Sequence, residues 1–320
     1  MNQNQFMVSI LCTAYNHERY IAQALEGFLC QETTFPVEIL VNDDASTDNT
    51  ASIIREFCDR YPGKLTPIYQ TENQYSKGIS SMQLLIDRAK GKYLALCEGD
   101  DYWTDPHKLE IQVSILEQHP EYAASVHNEV VVMEDGTPWP ENYQKIYREQ
   151  KDCVHDAEML CNYIKFSHTA SVVMRSDIFS NMSEDTREAY LKVKANGDMK
   201  WAALIAARGL VYHFARDMAC YRYVPMGNDS WSSKNNGKNI SMSTYRQLEA
   251  IRDFMRKHYG FLPSYQGYLK NLNYQTIRTA IKKPTRENIA IMLELKRKSG
   301  YRFADFLADG IQRVGRKLST

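Results

Sequence analysis

Several patterns that mark common classes of protein are missing from this sequence. Its 7 cysteines are odd in number and scattered without a C-x-x-C pair, so neither a disulfide framework nor a zinc site is indicated. No G-x-G-x-x-G follows the first apolar run and no G-x-x-x-x-G-K occurs, which excludes the usual phosphate loops of dinucleotide and ATP binders. No stretch approaches the roughly 18 consecutive apolar residues of a membrane span. The first residues do not have the pattern of a signal peptide.

The charge is balanced overall but uneven along the chain. Lys and Arg total 39, as do Asp and Glu, so the net charge gives no reason to expect a nucleic acid partner. Between residues 270 and 317, however, twelve Lys or Arg stand against four Asp or Glu. With 43% apolar and 24% charged residues, the composition is that of an ordinary globular protein. Unpaired cysteines favour a reducing, cytoplasmic location.

The first hundred residues alternate between apolar runs and segments with helical spacing. The apolar runs predict strands near residues 6–12, 37–41, 65–70 and 92–97. Between these runs, apolar residues recur every three or four positions, and another helical pattern begins at Pro106. Such alternation predicts a mostly parallel α/β sheet with right-handed connections and helices on its faces.

The rest of the chain is less regular and ends in helices. Further strands are predicted in the middle of the chain, at residues 122–133 (as one strand or two), 169–174, 210–214 and 218–224. An Ala-rich helical pattern covers residues 199–208, and the chain from about residue 242 is helical and basic. Residues 227–237 are rich in Ser, Asn and Gly, which predicts a mobile loop over a site.

Polar residues follow the first, second and fourth predicted strands. T-A-Y-N stands at residues 13–16, N-D-D-A-S-T-D-N-T at 42–50 and E-G-D-D at 98–101. In such a sheet, ligands bind at the carboxyl ends of the strands. The three carboxylates of E-G-D-D repel one another unless a cation lies between them, and carboxylates that hold phosphates through a divalent ion are typical of Mg²⁺ or Mn²⁺ sites. The alternative is a solvated acidic loop that caps the following helix.

Taken together, these motifs resemble those of family 2 glycosyltransferases with the GT-A fold. The matching text is V-S-I-L through Y-N at residues 8–16, the motif at 42–50, E-G-D-D-Y-W at 98–103 and G-D at 197–198. The resemblance covers roughly residues 6–232. It implies an α/β fold with a Rossmann-like, mostly parallel mixed sheet flanked by helices. The C-terminal residues lie outside the resemblance, and their helical pattern predicts a C-terminal helical extension.

The resemblance also implies a domain organisation. A glycosyltransferase domain would occupy residues 1–235, with a nucleotide-binding half at 1–105 and an acceptor half at 106–235. The remaining residues, 236–320, would form a basic helical region.

Individual residues acquire roles through the same resemblance. The nucleotide-binding positions would be Thr13, Ala14, Tyr15, Asp43, Asp44 and Asp100. The carboxylate of Asp44 would face a uracil imide N–H in a charge-assisted hydrogen bond, which favours a uridine or thymidine diphosphate sugar as donor. The alternative for Asp43 and Asp44 is a helix cap before Thr47, and Asp43 is favoured as the one of the two that is only a cap.

The E-G-D-D motif matches the metal-binding D-x-D of the family, with Glu in its first place. Glu98, Asp100 and Asp101 would hold Mn²⁺ or Mg²⁺, which would neutralise the departing diphosphate. Either aspartate could be the direct ligand, and Asp100 is favoured. Relatives often carry a His after a Tyr-Arg pair, whereas here Tyr223 follows that pair. The third ligand therefore stays open between Asn228, Asp229 and water.

The acceptor side rests on fewer signals. Asp198 matches the general base that deprotonates the acceptor hydroxyl, although an Asp just ahead of a helix is also a common N-cap. His168, Trp201 and Trp231 are candidates for contacts with the acceptor, and the alternative for His168 is an ordinary polar residue beside a strand.

The resulting hypothesis is an inverting transfer of a hexosyl or N-acetylhexosaminyl group from a UDP- or TDP-sugar. The acceptor would be a hydroxyl of a glycan or lipid-linked molecule in surface polysaccharide synthesis. One alternative is a non-catalytic nucleotide-sugar-binding protein of the same fold, suggested by the missing His. Another is a Mg²⁺-dependent phosphohydrolase or nucleotidyltransferase built on the acidic cluster.

The end of the chain raises a separate question about partners. Residues 301–318 form a basic amphipathic pattern that could lie on an anionic membrane surface at the inner face of the membrane. The alternative is a helix that packs on its own domain or on a second subunit of a homodimer.

Overall fold

A computed structural model of the protein describes residues 6–140, 148–162, 167–223, 241–302 and 304–305. The four apolar runs of the first hundred residues form strands in it, as the sequence predicts. The described strands are β1 (Phe6–Ala14), β2 (Val37–Asp43), β3 (Leu65–Tyr69), β4 (Gly91–Glu98), β5 (Tyr102–Trp103), β6 (Tyr122–Val132), β7 (Cys153–His155), β8 (Val173–Arg175) and β9 (Leu210–Arg222).

These strands belong to one mixed sheet in the order β3-β2-β1-β4-β8-β6-β9-β5, and β7 pairs with β9. The strands β1 to β4 pair in parallel with their neighbours in this order. Strand β8 runs antiparallel to β4 and β6, and β6 and β9 are parallel. The register brings the strand ends level, because Thr13 pairs with Glu98 and Ala14 pairs with Asp43. The residues that follow β1, β2 and β4 therefore share one edge of the sheet.

Helices cover both faces of this sheet. Those before the last quarter of the chain are α1 (Ile21–Leu29), α2 (Thr50–Arg60), α3 (Ser81–Ile86), α4 (Lys108–Gln118), α5 (Ala157–Asn162), α6 (Asp177–Ser180), α7 (Glu184–Lys192) and α8 (Gly197–Arg208). The last quarter contributes α9 (Ser241–Tyr259), α10 (Gln266–Lys282) and α11 (Arg286–Ser299). Among the described helices, none has both the length and the apolar composition that a membrane crossing requires.

The core has two layers because side chains of a strand alternate between the faces of the sheet. Along β1, Val8, Ile10 and Cys12 pack into the layer that contains α1 and α4, whereas Leu11 packs into the opposite layer with α3 and α8. Helix α9 joins this second layer through apolar side chains such as Leu248. The predicted helical extension is thus packed against the sheet domain. The predicted boundary at residue 235 lies outside the described residues.

Two parts of the middle region differ from the sequence-based expectation. Residues 169–174 do not form a single strand, since Thr169–Ser171 is a turn of 3₁₀ helix that precedes β8. The two strands predicted at 210–214 and 218–224 are one strand, β9. The pairing of β9 with β6 shifts register near the polar residues between these two segments, and it continues on both sides of the shift.

Gly91 provides a test of how closely β1 and β4 must approach. A Cβ at this position would lie 2.4 Å from the backbone nitrogen of Ser9 and 2.7 Å from the carbonyl carbon of Val8. We expect Gly91→Ala to lower the free energy of unfolding by about 2 to 3 kcal/mol, because backbone atoms of the adjacent strand must shift. Urea unfolding measures this change. The neighbouring exposed Lys90→Ala serves as the control, and equal effects of the two variants would contradict the prediction.

Candidate active site

The edge of the sheet at the ends of β1, β2 and β4 gathers three of the predicted motifs. The N–H of Gly99 donates to the carbonyl of Thr13 at 2.9 Å, and the N–H of Asp44 donates to the carbonyl of Ala14 at 2.9 Å. The main chain therefore links the residues after β4 and β2 to the end of β1. Tyr15, which follows directly, is partly exposed at the same edge.

The glycine of E-G-D-D is required by close packing. A Cβ on Gly99 would lie 2.9 Å from Cδ1 of Ile21, 3.0 Å from Nδ1 of His17 and 3.2 Å from Cβ of Ala14. A side chain here would require the side chains of Ile21 and His17 to move, and glycine fits without such movement. The glycine thus allows the flanking carboxylates to approach the end of β1.

The two aspartates of the motif have different surroundings. Asp101 is 2% exposed, and its Oδ1 accepts a hydrogen bond from the backbone N–H of Arg222 at 2.7 Å. Asp100 is partly exposed, and its Oδ2 lies 3.9 Å from Nε2 of His17. Glu98 is also partly exposed. Asp101 is therefore occupied in holding the loop to β9, whereas Asp100 is accessible from solvent.

The crowded carboxylates leave excess negative charge at this edge. Burial raises the pKa of Asp101 well above its usual range, and the nearby charges of Asp100 and Glu98 raise the pKa further. Burial, followed by the same acidic cluster, also raises the pKa of the Cys12 thiol. A divalent cation bound among oxygen ligands would offset this charge. The residues present therefore fit a Mg²⁺ or Mn²⁺ ion.

Arg222 holds the acidic loop in place, a role that is not evident from the sequence. It is 5% exposed, and its Nε donates to the carbonyl of Asp100 at 2.9 Å. Its other guanidinium nitrogens donate to the carbonyl of Glu134 and to Oε1 of Gln23, both at 2.8 Å. This buried cation clamps the main chain of the acidic loop. The signal for this role in the sequence is the Tyr-Arg pair, after which relatives often carry a His.

The carboxylates after β2 hold loops in place. Both oxygens of Asp44 accept backbone N–H groups, from Gln74 at 2.8 Å and from Tyr75 at 3.1 Å. Asp43 is buried, and burial raises its pKa. Its Oδ2 accepts from the N–H of Ser46 at 3.4 Å, while α2 begins later, at Thr50. Asp43 is therefore not a helix cap.

Asp198 is the second residue of α8, so the N-cap alternative does not apply to it; the N-cap is Asn196. Its Oδ1 accepts from the N–H of Met199 at 2.8 Å, and the side chain is partly exposed. It lines a small cleft with Ser167, Thr169, Val172, Trp201, Ala202 and Ile205.

A turn of the main chain lies between this cleft and the acidic loop. Thr169 and Val172 line the cleft, and Nε1 of Trp103, which follows E-G-D-D, donates to the carbonyl of Ala170 at 2.9 Å. The N–H of Leu96 on β4 donates to the carbonyl of Val172 at 3.0 Å. Residues 169–172 therefore contact both the cleft that holds Asp198 and the residues on each side of the acidic loop in sequence, Leu96 and Trp103.

The structure places two of the three predicted acceptor residues. His168 is 7% exposed, and its ring stacks on Tyr221 with centroids 4.0 Å apart. Trp201 is 8% exposed and belongs to the core, although its side chain also lines the cleft with Asp198. Trp231 lies outside the described residues, together with Asn228, Asp229 and the predicted loop at 227–237.

Comparison with protein families confirms the predicted family. The model of the family described as "Glycosyl transferase family 2" matches residues 9–182, which is more than half of the chain. An uncharacterized protein of Mycobacterium tuberculosis is 44% identical over 169 residues, covering 52% of this chain and 46% of that protein. The chain thus spans less than half the length of the first curated relatives that it matches.

Two further relatives carry functional names. The Escherichia coli UDP-Glc:alpha-D-GlcNAc-diphosphoundecaprenol beta-1,3-glucosyltransferase WfgD is 33% identical over 114 residues, covering 35% of this chain and 42% of its own. The putative teichuronic acid biosynthesis glycosyltransferase TuaG of Bacillus subtilis is 25% identical over 83% of this chain and 95% of its own.

Solved structures confirm the predicted GT-A fold. Staphylococcus aureus TarS 1–349 in complex with UDP-GlcNAc has a TM-score of 0.56 at 14% identity, covering 92% of this chain and 93% of that chain. The Pyrobaculum calidifontis mannosyltransferase PcManGT, in complex with GDP-Man and Mn²⁺, has a TM-score of 0.56 at 15% identity, covering 98% and 88%. At these identities the likeness concerns the fold.

The different surroundings of the two aspartates predict unequal effects on metal binding. Asp100→Asn should weaken Mn²⁺ binding at least about tenfold more than Asp101→Asn, because Asp100 is accessible and Asp101 already accepts the Arg222 N–H. Titration of chelator-treated protein with Mn²⁺, followed by calorimetry, measures both affinities. A larger loss in Asp101→Asn would instead assign the direct ligand to Asp101.

The buried Asp101 also predicts a pH dependence of stability in the metal-free protein. Its pKa is raised on folding, so its charged form destabilises the fold, and the free energy of unfolding falls as pH rises above the unfolded pKa of about 4. Asp101→Asn keeps an oxygen acceptor for Arg222 and removes the charge. In EDTA, the variant should therefore gain stability relative to wild type between pH 4 and pH 7, as measured by urea unfolding. A pH-independent difference would contradict this.

Proposed function

Because the chain belongs to glycosyl transferase family 2, we propose that it transfers a sugar from a nucleoside diphosphate sugar to an acceptor hydroxyl with inversion. The observation that carries the proposal is the placement of the accessible Asp100 at the edge shared by β1, β2 and β4. The proposed nucleotide-binding positions after β1 and β2 lie at that edge, and Asp198 lies in the cleft that Thr169 and Val172 also line.

The donor in this proposal is a uridine or thymidine diphosphate sugar. Thr13, Ala14 and Tyr15 would line the nucleotide site, and the carboxylate of Asp44 would accept the imide N–H of the base. Each Asp44 oxygen accepts one backbone N–H, which leaves acceptor capacity for the base. The names of WfgD and of the TarS complex, both with UDP-sugars, support this choice, whereas PcManGT was solved with GDP-Man.

The proposed metal site consists of Glu98 and Asp100, with Asp101 beside them. His17 would supply a nitrogen ligand in place of the His that is missing after Arg222. Its Nδ1 faces Gly99, and its Nε2 lies 3.9 Å from Oδ2 of Asp100. When bound, Mn²⁺ or Mg²⁺ would stabilise the negative charge of the departing diphosphate. The Mn²⁺ in the PcManGT complex supports a metal of this kind.

Asp198 is proposed to accept the proton of the acceptor hydroxyl. Asp198 lies in the first turn of α8, where its Oδ1 accepts the N–H of Met199, and a carboxylate oxygen can accept the proton of a hydroxyl. As the acceptor oxygen forms its bond to the anomeric carbon, the bond from that carbon to the phosphate oxygen breaks. Attack from the face opposite the diphosphate inverts the anomeric centre. His168 and Trp201 would contact the acceptor.

The acceptor is proposed to be a glycan or a lipid-linked glycan in surface polysaccharide synthesis. The names of TuaG and WfgD, one for teichuronic acid and one for a diphosphoundecaprenol acceptor, support this class. A cytoplasmic protein at the inner face of the membrane would meet such an acceptor. The basic helix predicted at residues 301–318, which would contact that surface or a second subunit, lies largely outside the described residues.

The experiment is donor turnover by the purified chain with a panel of UDP-, TDP- and GDP-sugars and Mn²⁺. We expect release of a nucleoside diphosphate from a UDP- or TDP-sugar, and its loss in EDTA. Asp198→Asn should lower kcat at least about 100-fold while the donor Kd stays within about twofold, since the base acts on the acceptor. The control is Asp185→Asn, which changes an exposed aspartate in the first turn of α7.

Two outcomes would overturn the proposal. Donor binding without turnover of any donor would favour a non-catalytic nucleotide-sugar-binding protein. Release of free phosphate or pyrophosphate would favour a phosphohydrolase or nucleotidyltransferase built on the same acidic cluster.

A further inference from the structure

A second group of potential metal ligands lies where β7 pairs with the first half of β9. Glu149, His155 and His213 each offer a ligand atom, and these atoms all lie within 4.8 Å of one another. Both histidines are buried, with exposures of 4% and 1%, and Glu149 is partly exposed. Cys153 stands directly opposite His213 in the antiparallel pairing, so its side chain shares their face of the sheet.

The hydrogen bonds of Asn128 determine the tautomer of His213. Nδ2 of Asn128 donates to the carbonyl of Glu149 at 2.9 Å, and Oδ1 of Asn128 accepts from the N–H of Glu149 at 2.9 Å. The amide orientation is therefore determined by the main chain. Since Oδ1 is an acceptor and lies 3.0 Å from Nε2 of His213, that ring nitrogen carries the proton and donates it.

This arrangement leaves Nδ1 of His213 as the lone-pair nitrogen of a neutral ring. Burial favours the neutral ring over the charged one. Within the described part of the chain, this nitrogen is buried and has no hydrogen-bond partner. A buried acceptor without a partner is costly. A histidine that donates one N–H to a fixed oxygen and aims its other nitrogen at a cluster of donors has the orientation of a metal ligand.

The other side chains complete a donor set of suitable size. Nε2 of His155 lies 3.7 Å from Oε1 of Glu149 and 3.5 Å from Sγ of Cys153. Ligand atoms about 2.0 to 2.3 Å from a tetrahedral ion are roughly 3.4 Å apart. The observed separations therefore need only small side-chain rotations to surround one ion. The scattered spacing of the cysteines gave no indication of such a site, because its members meet only through strand pairing.

We propose that Glu149, His155 and His213 bind one Zn²⁺ ion, with Cys153 or water as the fourth ligand. Two imidazoles and a thiol favour zinc over Mg²⁺ or Ca²⁺, which prefer oxygen ligands. Zinc would attach residues 149–155 to β9, the strand whose far end carries Arg222. The proposal does not depend on glycosyl transfer, because none of these residues belongs to the proposed donor or acceptor site.

The test is zinc binding by the full chain. After treatment with a chelator, wild-type protein is titrated with Zn²⁺ in a metal buffer, and bound metal is quantified after gel filtration. We expect one zinc per chain and a rise in Tm of roughly 5 °C at saturating zinc. Mg²⁺ should give no comparable rise in Asp100→Asn, which lacks a proposed ligand of the acidic loop. Co²⁺ in place of Zn²⁺ should give the visible absorption of a tetrahedral site.

Matched variants locate the ion. His155→Ala and Glu149→Gln should each weaken zinc binding at least tenfold, whereas His107→Ala, which removes a half-exposed histidine outside the cluster, should not. Asp100→Asn should retain zinc, which separates this site from the acidic loop. Circular dichroism confirms that each variant is folded, and the zinc-dependent Tm of the wild type tests the proposal without any variant.

The proposal is overturned if wild-type protein binds no stoichiometric zinc, or if His155→Ala and Glu149→Gln bind it as tightly as wild type. Loss of zinc in Asp100→Asn alone would assign the ion to the acidic loop and would also overturn it. A zinc-loaded protein without sugar transfer would contradict the proposed function and leave the zinc site intact.

Discussion

The hydrogen bond from the backbone of Arg222 to the buried carboxylate of Asp101 supports the rest of the candidate site. It joins residues 121 positions apart in sequence and attaches the acidic loop to β9. The guanidinium of Arg222 adds a bond to the carbonyl of Asp100 and brings a positive charge close to the carboxylates. Without these contacts, three neighbouring acids would move apart into solvent. Because one aspartate is held in this way, its neighbour is left accessible at the edge of the sheet.

Strand β9 connects two regions of different chemistry. At its last residue, Arg222 holds a loop of carboxylates, which suit a hard cation such as Mn²⁺ or Mg²⁺. Near its first residues, His213 faces His155 and Glu149, a mixed set of nitrogen and oxygen donors that suits zinc. The irregular pairing with β6 lies between these regions and places Asn128 beside His213. Two candidate metal sites that favour different ions can therefore lie near opposite ends of one strand.

The family shares a scaffold and varies what surrounds it. TarS and PcManGT have similar TM-scores to this chain although one complex contains UDP-GlcNAc and the other GDP-Man. The scaffold is therefore compatible with more than one base and sugar. Loops vary more than the strands that they connect, and here the loop at Gln74 and Tyr75 donates two backbone N–H groups to Asp44. Donor choice would depend on such loops more than on the strands.

The sequence by itself determined the alternating fold and the edge at which the acids collect. Buried parallel strands are visible as apolar runs, and residues that follow such strands share an edge, so the position of Asp44 and Asp100 at that edge followed from local pattern alone. Only the tertiary structure decided that Asp101 faces Arg222, that Asp100 lies beside His17 and that His213 meets Glu149. These contacts join distant segments through strand register and side-chain packing, which local periodicity does not encode.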